Sequence, residues 1–376
     1  MKTWNAAIWI LAGLSALWAD AGNAADVGPG RAVVHSALGG FILGYDIDPD
    51  GTEGLLSEAL TLPGGGYDIA VETFDQRTGA IVKVVRQQSA TDNAYATLGI
   101  FSGHVGLVEF EHTRGLYVDR RLYSTLSPLG ANRITGRWTP PFSAAADIIT
   151  SAAASQGSAE SAFLGFKNSV SDFSSYVFGS NVGANTFGPL IQVTDPVFDA
   201  NNSPVMAYDS GANQAVLGGS YGCYGCPTRI GLVDLATGTQ SSFTGLGIGF
   251  VNGIAVDSET HIACTTSEID FSVEFYDLVA GTGKIVVLPG ATNQAQSGGA
   301  VAVDPINKLF LVGQEFSSTA FTGSSIHVFD ENGNYIESLN GFRLPASPAY
   351  MALNPGQRTG YVIVTPALTS LQSFRY

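Results

Sequence analysis

Short apolar runs with polar residues at alternate positions recur along this 376-residue chain. Asp, Asn, Gly or Pro breaks each run before it reaches helical length. Four stretches in the C-terminal half share one layout: VMAYDSGANQAVLGG (Val205 to Gly219), IAVDSETHIACTT (Ile254 to Thr266), VAVDPINKLFLVG (Val301 to Gly313) and MALNPGQRTGYVIV (Met351 to Val364). Period-two alternation is the mark of a half-buried strand. Each stretch gives one strand, a polar turn opened by Asp209, Asp257, Asp304 or Asn354, and a second strand. The units recur roughly every 50 residues, a spacing found in propeller-type repeats.

A second signature follows the first: IGLVDLATGTQ (Ile230 to Gln240), VEFYDLVAGTGK (Val273 to Lys284) and IHVFDENGNY (Ile326 to Tyr335). Here a strand ends in Asp234, Asp277 or Asp330, and Gly follows within a few residues. Asp bonds its own turn backbone and Gly tolerates positive φ, which is hairpin chemistry. Two hairpins per unit make a four-stranded blade. Phe41 to Leu60, Ile69 to Val85, Val105 to Val118 with Leu122 to Trp138, and Asp147 to Asp195 carry the same layout with more drift.

The predicted fold is therefore all-β: a single β-propeller of seven four-stranded blades. Six or eight blades are the alternatives, because Gln87 to His104 resists assignment. The last unit lacks one strand. The stretch Arg31 to Ser36 is predicted to supply it, so that the N-terminal strand pairs with the C-terminal blade and closes the ring.

Composition narrows the function classes. The chain holds 46 glycines and 13% charged residues, and its net charge of −15 reflects 17 Lys and Arg against 32 Asp and Glu. No basic face is available to neutralise phosphates, which argues against nucleic acid and anionic membrane surfaces. A cationic ligand or divalent metal is compatible with this balance.

Lys2, the apolar run Ala6 to Trp18 and the small residues Gly22-Asn23-Ala24 form a secretory signal pattern. Residues 1–24 are expected to be cleaved, leaving 25–376 as the propeller domain. The run is shorter than the about 20 apolar residues that span a bilayer. No integral membrane segment is expected after cleavage. The expectation is a monomer, secreted or periplasmic.

NGIAVD (Asn252 to Asp257), VAVDPINKLFLV (Val301 to Val312) and VDLATG (Val233 to Gly238) resemble NHL and YVTN propeller repeats, with the likeness running over Ser203 to Tyr376. The resemblance implies loops presented around a central channel, with ligands at its mouth. The matching positions are Asn202, Ser203, Asn252, Gln296, Ser297 and Ser347. Their neutral polar side chains suit hydrogen bonding to a glycan, peptide, protein or small molecule. The first expectation is a binding module without catalytic residues or cofactor.

Val251-Asn252-Gly253-Ile254 is also similar to a segment of SMP-30/gluconolactonase-type propellers in which Asn binds a catalytic divalent metal. That likeness implies a Ca²⁺ ligand at Asn252 and a lactonase- or esterase-like hydrolase as the alternative. The early Glu and late Asp of that family have no matching positions here, and metal-free NHL repeats carry the same Asn-Gly-Ile string.

Cys223 and Cys226 lie in a turn-rich Tyr-Gly-Cys-Tyr-Gly-Cys-Pro loop and could close a small disulfide ring. Free buried thiols and metal or redox chemistry are the alternatives. Cys264 falls in a strand pattern and is expected to be a buried small hydrophobe. Gly218 to Gly222 matches Gly-x-Ser-x-Gly, but turn residues follow Ser220 where a nucleophile elbow needs a helix. His35, His104, His112, His261 and His327 are scattered away from metal-ligand spacing. Asp46, Asp48 and Asp50 fit a turn between strands, without the downstream Glu of a Ca²⁺ loop.

Overall fold

The structure, a computed structural model, describes residues 28–48, 52–61, 67–89, 98–101, 105–112, 115–122, 127–133, 148–154, 160–166, 173–181, 186–199, 202, 204–221, 225–267, 271–291, 298–314, 324–342, 351–364 and 368–376. The expected signal segment lies outside these residues. Among the described residues, no helix is long and apolar enough to cross a membrane.

The strands are short, and almost all regular structure is β. A leading strand, β1 (Gly28–His35), precedes a sheet of β2 (Phe41–Ile47), β3 (Glu53–Thr61), β4 (Tyr67–Asp75) and β5 (Ile81–Ser89). The next holds β6 (Leu98–Phe101), β7 (Val105–His112), β8 (Gly115–Leu122) and β9 (Ser127–Arg133). A third holds β10 (Ile148–Ala154), β11 (Glu160–Phe166) and β12 (Ser175–Asn181), with a broken outer strand made of β13 (Thr186–Phe187) and β14 (Ile191–Gln192). Then come β15 (Val205–Asp209), β16 (Gln214–Gly219), β17 (Pro227–Asp234) and β18 (Gln240–Ile248). They are followed by β19 (Val251–Asp257), β20 (Ile262–Ser267), β21 (Ser272–Asp277) and β22 (Thr282–Val287), and by β23 (Gly298–Asp304), β24 (Leu309–Gln314), β25 (Ser324–Asp330) and β26 (Tyr335–Phe342). The chain ends with β27 (Met351–Asn354), β28 (Thr359–Val364) and β29 (Ser370–Arg375).

The sequence predicts seven blades, the last completed by the N-terminal strand; the structure corrects this to six blades of consecutive strands. Six sheets are each built from consecutive strands, and a composite sheet, ordered β1-β29-β28-β27, takes strands from both ends of the chain. The N-terminal strand starts at Gly28, ahead of the expected Arg31, and pairs antiparallel with β29, Gly28 opposite Arg375 and His35 opposite Ser370. His35 Nδ1 and Ser370 Oγ lie 2.7 Å apart across that pairing. The first strands of successive sheets are neighbours, running β2, β6, β10, β15, β19, β23, β27 and back to β2.

The core lies between sheets. Ala255, Cys264, Val273 and Phe275 of one sheet pack with Phe310, Val312 and Phe329 of the next. The Phe275 ring sits 5.6 Å from Phe310, edge-on, and 5.7 Å from Phe329. Burying each such side chain contributes about 1.5–3 kcal/mol. A wall shared in this way stabilises neither sheet alone, so the sheets stand or fall as neighbours.

The turn after each first strand adds a polar clasp. Asp209, Asp257, Asp304 and Asn354 are buried there, at 1%, 0%, 0% and 0% exposure. One side-chain oxygen of each accepts an N–H of its own turn. The rest of each side chain reaches a neighbouring sheet. Asp209 Oδ2 meets His261 Nδ1 at 2.7 Å, and Asp257 Oδ2 meets Lys308 Nζ at 3.2 Å. Asp304 Oδ2 accepts the hydroxyl of Tyr376 at 2.9 Å, while Arg358 stacks on that ring at 5.6 Å. Asn354 Nδ2 donates to the Asp48 carbonyl at 3.4 Å.

The residues closing these turns pay a backbone cost. Asn213, His261, Lys308 and Arg358 all have positive φ, between 50° and 56°. Gly or Asn is the usual occupant of that region, and other residues lose roughly 1–2 kcal/mol there. His261 and Lys308 are held in it because their side chains answer a buried acid one sheet away.

Two outcomes follow. Removing Gly28–His35 should lower the melting temperature and shift the protein toward aggregates on size exclusion, because β29 becomes an open edge; an unchanged melt would show that the pairing contributes nothing. Lys308→Ala should cost about 1–3 kcal/mol in urea denaturation, since it leaves the Asp257 carboxylate buried without its ammonium. Lys308→Gly should lose stability too, although it relieves the positive φ.

Candidate functional site

Of the six residues expected at the channel mouth, Asn202 and Asn252 are described; Ser203, Gln296, Ser297 and Ser347 lie outside the described residues. Asn202 Nδ2 donates to the Pro196 carbonyl at 3.0 Å, closing the end of the short 3₁₀ turn Pro196–Phe198. Asn252 Nδ2 donates to the Gly298 carbonyl at 3.3 Å, joining β19 to β23. Both amides donate to backbone carbonyls, and among the described residues no hydrogen bond links them. Among the described residues no three His, Cys, Asp or Glu side chains converge in a way that could hold a metal.

The remaining candidates separate in the same manner. Ser220 is fully buried, whereas an elbow nucleophile must be exposed. Cys264 is buried in the Phe275–Phe310 cluster, and burial pushes its thiol well above the ordinary range, with the Glu274 charge adding to the effect. Cys223 lies outside the described residues, so its pairing with Cys226 does too. His327 is buried and its pKa falls to about 4 through desolvation. Its ring is neutral, bridging Ser338 Oγ and Gln314 Oε1 at 2.7 Å each.

The β15–β18 sheet carries a different kind of site. At one end of it Tyr221 is 55% exposed, Leu246 46% and Ile248 37%. Register puts them at the same end of the sheet, with β17 between them: Gly219, just before Tyr221, pairs with Arg229, and Pro227 pairs with Ile248. A bulge interrupts the β17–β18 ladder between Pro227 and Arg229. Bulges bend a strand and re-aim its side chains. The Leu246 N–H, released from the ladder, donates instead to Glu274 Oε2 at 3.0 Å and to Tyr276 Oη at 2.7 Å on the next sheet.

Glu274 is 1% exposed and also accepts the Thr228 hydroxyl at 3.2 Å. A Cβ on Gly245 would lie 2.0 Å from Thr228 Oγ1 and 2.7 Å from Tyr276 Oη, so the strand needs glycine to approach this closely. The apolar side chains are thus exposed on a backbone that a buried acid holds.

On the flank of the same sheet lies a cavity of about 170 Å³, lined by apolar Val193, Phe198 and Leu217 and by polar Thr194, Gln240 and Ser242. Asp195 ties its rim: its Oδ2 accepts Arg229 Nη2 at 2.8 Å and Ser242 Oγ at 3.0 Å. Its Oδ1 accepts the Val197 N–H at 3.1 Å and caps the 3₁₀ turn.

The fold has counterparts among solved structures. No protein-family model matches the chain, and no curated protein matches it in sequence. A solved structure titled "Structure of U3-55K" superposes with a TM-score of 0.62 at 11% identity, covering 93% of this chain and 100% of that one. The RRP9 WD40 repeats give 0.61 at 11%, covering 93% and 99%. Raptor of Chaetomium thermophilum gives 0.61 at 11%, covering 93% of this chain and 29% of its own. The chain folds as a single β-propeller. Its structural neighbours are WD40 propellers, a propeller class other than the NHL and YVTN repeats that its motifs resemble.

One sequence signal points to the exposed apolar site. Leu246, Ile248 and Phe250 alternate with glycines, an apolar period-two stripe at the end of an outermost strand. Glu274→Ala should cost about 1–3 kcal/mol, because the Thr228 hydroxyl and Leu246 N–H lose a buried acceptor. Hydrogen exchange at the Leu246 amide should quicken in that variant; unchanged exchange would mean the bulge does not depend on Glu274.

Proposed function

We propose that this propeller is a non-enzymatic binding module acting outside the cytoplasm, and that it engages a protein or peptide through the Tyr221, Leu246 and Ile248 end of the β15–β18 sheet. The supporting observation is the exposure of Leu246 and Ile248 on β18, whose bulged end buried Glu274 holds, with Tyr221 exposed just past β16 at the same end of the sheet. Aromatic and aliphatic side chains shown on a rigid backbone suit an interface core, since little further ordering is needed on binding. The likeness to WD40 propellers supports an interaction scaffold. In this reading the Cys223–Cys226 ring would brace the loop next to Tyr221, and the cavity beside Asp195 would take a small side chain of the partner.

A Ca²⁺-dependent hydrolase built on Asn252 is the competing proposal, and one experiment separates the two. Wild-type protein and the double variant Leu246→Asp/Ile248→Asp are used as baits on an envelope extract, after matched melts establish that both are folded. Specific partners should be retained by the wild type and lost by the variant. In parallel, a panel of lactones and esters is assayed with Ca²⁺ and with EDTA. Ca²⁺-dependent turnover that Asn252→Ala abolishes would overturn the binding reading.

A further inference from the structure

We infer that Glu58 and Glu72 act together as a proton-sharing catch that holds the β1–β2 connection against its sheet and releases it in alkaline solution. Both side chains are fully buried, at 0% exposure, on the adjacent strands β3 and β4. Leu56 is opposite Glu72 and Ala70 is opposite Glu58, so the two acids are diagonal neighbours on one face.

Their acceptors are filled by a single short segment. The Ala37 N–H donates to both oxygens of Glu72, at 3.1 Å and 3.0 Å. The Leu38 N–H donates to Glu58 Oε1 at 3.0 Å, and the Gly40 N–H to Glu58 Oε2 at 2.7 Å. The segment is shaped for this seat. A Cβ on Gly40 would lie 2.5 Å from the Ala59 carbonyl oxygen and 3.0 Å from Glu58 Oε2. Gly39 has φ +76°. The catch therefore fixes the link between β1 and the first sheet. It also fixes Leu38 and Phe41, which are 40% and 52% exposed beside it.

Two carboxylates in mutual contact need a proton between them, because two buried negative charges side by side are strongly unfavourable. The strands packed around the pair carry other ionisable residues. On β1, His35 is exposed and engaged with Ser370. On β2 the ionisable residues are Asp46 and Tyr45, whose hydroxyl accepts the Ile363 N–H. Glu53 and Asp75 pair at the far end of β3 and β4, and Asp68 stands opposite Leu60. On β5, Lys83 is exposed opposite Thr73, and Arg86 stands opposite Ala70. The β6 sequence, Leu98 to Phe101, has no ionisable residue. In sum, Glu72 is raised to about 8, first by burial and then by its hydrogen bond to Glu58.

The sign follows directly. A carboxyl whose folded pKa lies above its unfolded value binds more protons in the folded state. Its contribution is complete below the unfolded value of 4.5 and is lost as pH rises through about 8. Above that pH the proton passes to solvent, the second charge appears, and the loop amides no longer compensate both acids.

Thermal melts of the full chain and of Glu72→Gln test this from about pH 5 to about pH 9, the window set by that shift. The variant keeps the shape and supplies a permanent donor. The wild type should fall progressively below the variant as pH rises. Alkaline effects of other groups cancel in the difference, so a constant gap across the range would overturn the catch. If Glu72→Gln does not fold, wild-type exchange decides instead. Protection of the Ala37, Leu38 and Gly40 amides, corrected for intrinsic rates, should fall about tenfold per pH unit above the transition, and constant protection would overturn the proposal.

Discussion

Asp257 ends the innermost strand of its sheet with its carboxylate wholly buried, and Lys308 of the next sheet supplies the counter-charge. A buried acid cannot be left alone, since desolvation of an unpaired charge outweighs the packing around it. The pair therefore fixes the distance and rotation of one sheet against the next. Asp209 with His261 and Asp304 with Tyr376 repeat the device at neighbouring junctions. The last of these uses the final residue of the chain, so the C-terminal strand is held by a clasp as well as by its ladder. The Phe275, Phe310 and Phe329 rings pack across the junction that Asp257 and Lys308 clasp.

Buried acids also organise the opposite end of the sheets. Glu72 and Glu274 each stand three residues before the Asp that ends the third strand of their sheet, Asp75 and Asp277. Each takes a backbone N–H from a segment of the neighbouring sheet: Ala37, just past β1, and Leu246 of β18. His327 holds the corresponding place before Asp330 and bonds Ser338 instead. Glu274 holds the end of β18, where Leu246 is exposed, and Glu72 seats the loop that follows β1. Part of the chain's acidity is therefore internal: Glu58, Glu72, Asp209, Asp257, Glu274 and Asp304 are all buried.

The repeat was legible because strands and turns are local: Asp209, Asp257, Asp304 and Asn354 stand where alternation breaks, and the structure puts each in its turn. What the turn residues bond was not legible. His261, Lys308 and Arg358 occupy positive φ where sequence rules expect Gly or Asn, and the reason lies one sheet away. The bond from Asn252 Nδ2 to the Gly298 carbonyl, which joins β19 to β23, was likewise not legible. The alternation of Leu246 and Ile248 with glycines is visible in the sequence, but the bulge beside them is not, because it needs the register of the partner strand. The broken outer strand β13–β14 is hidden for the same reason.

If clasps and terminal pairing make the sheets one cooperative unit, native-state hydrogen exchange will show it most directly. Under increasing denaturant, amides of β1 and β29 should open with the same free energy and denaturant dependence as those of β16, β20 and β24 in the inter-sheet cores. Opening of β1 and β29 at clearly lower free energy, with the interior strands still protected, would contradict the claim that the ring is held as a whole.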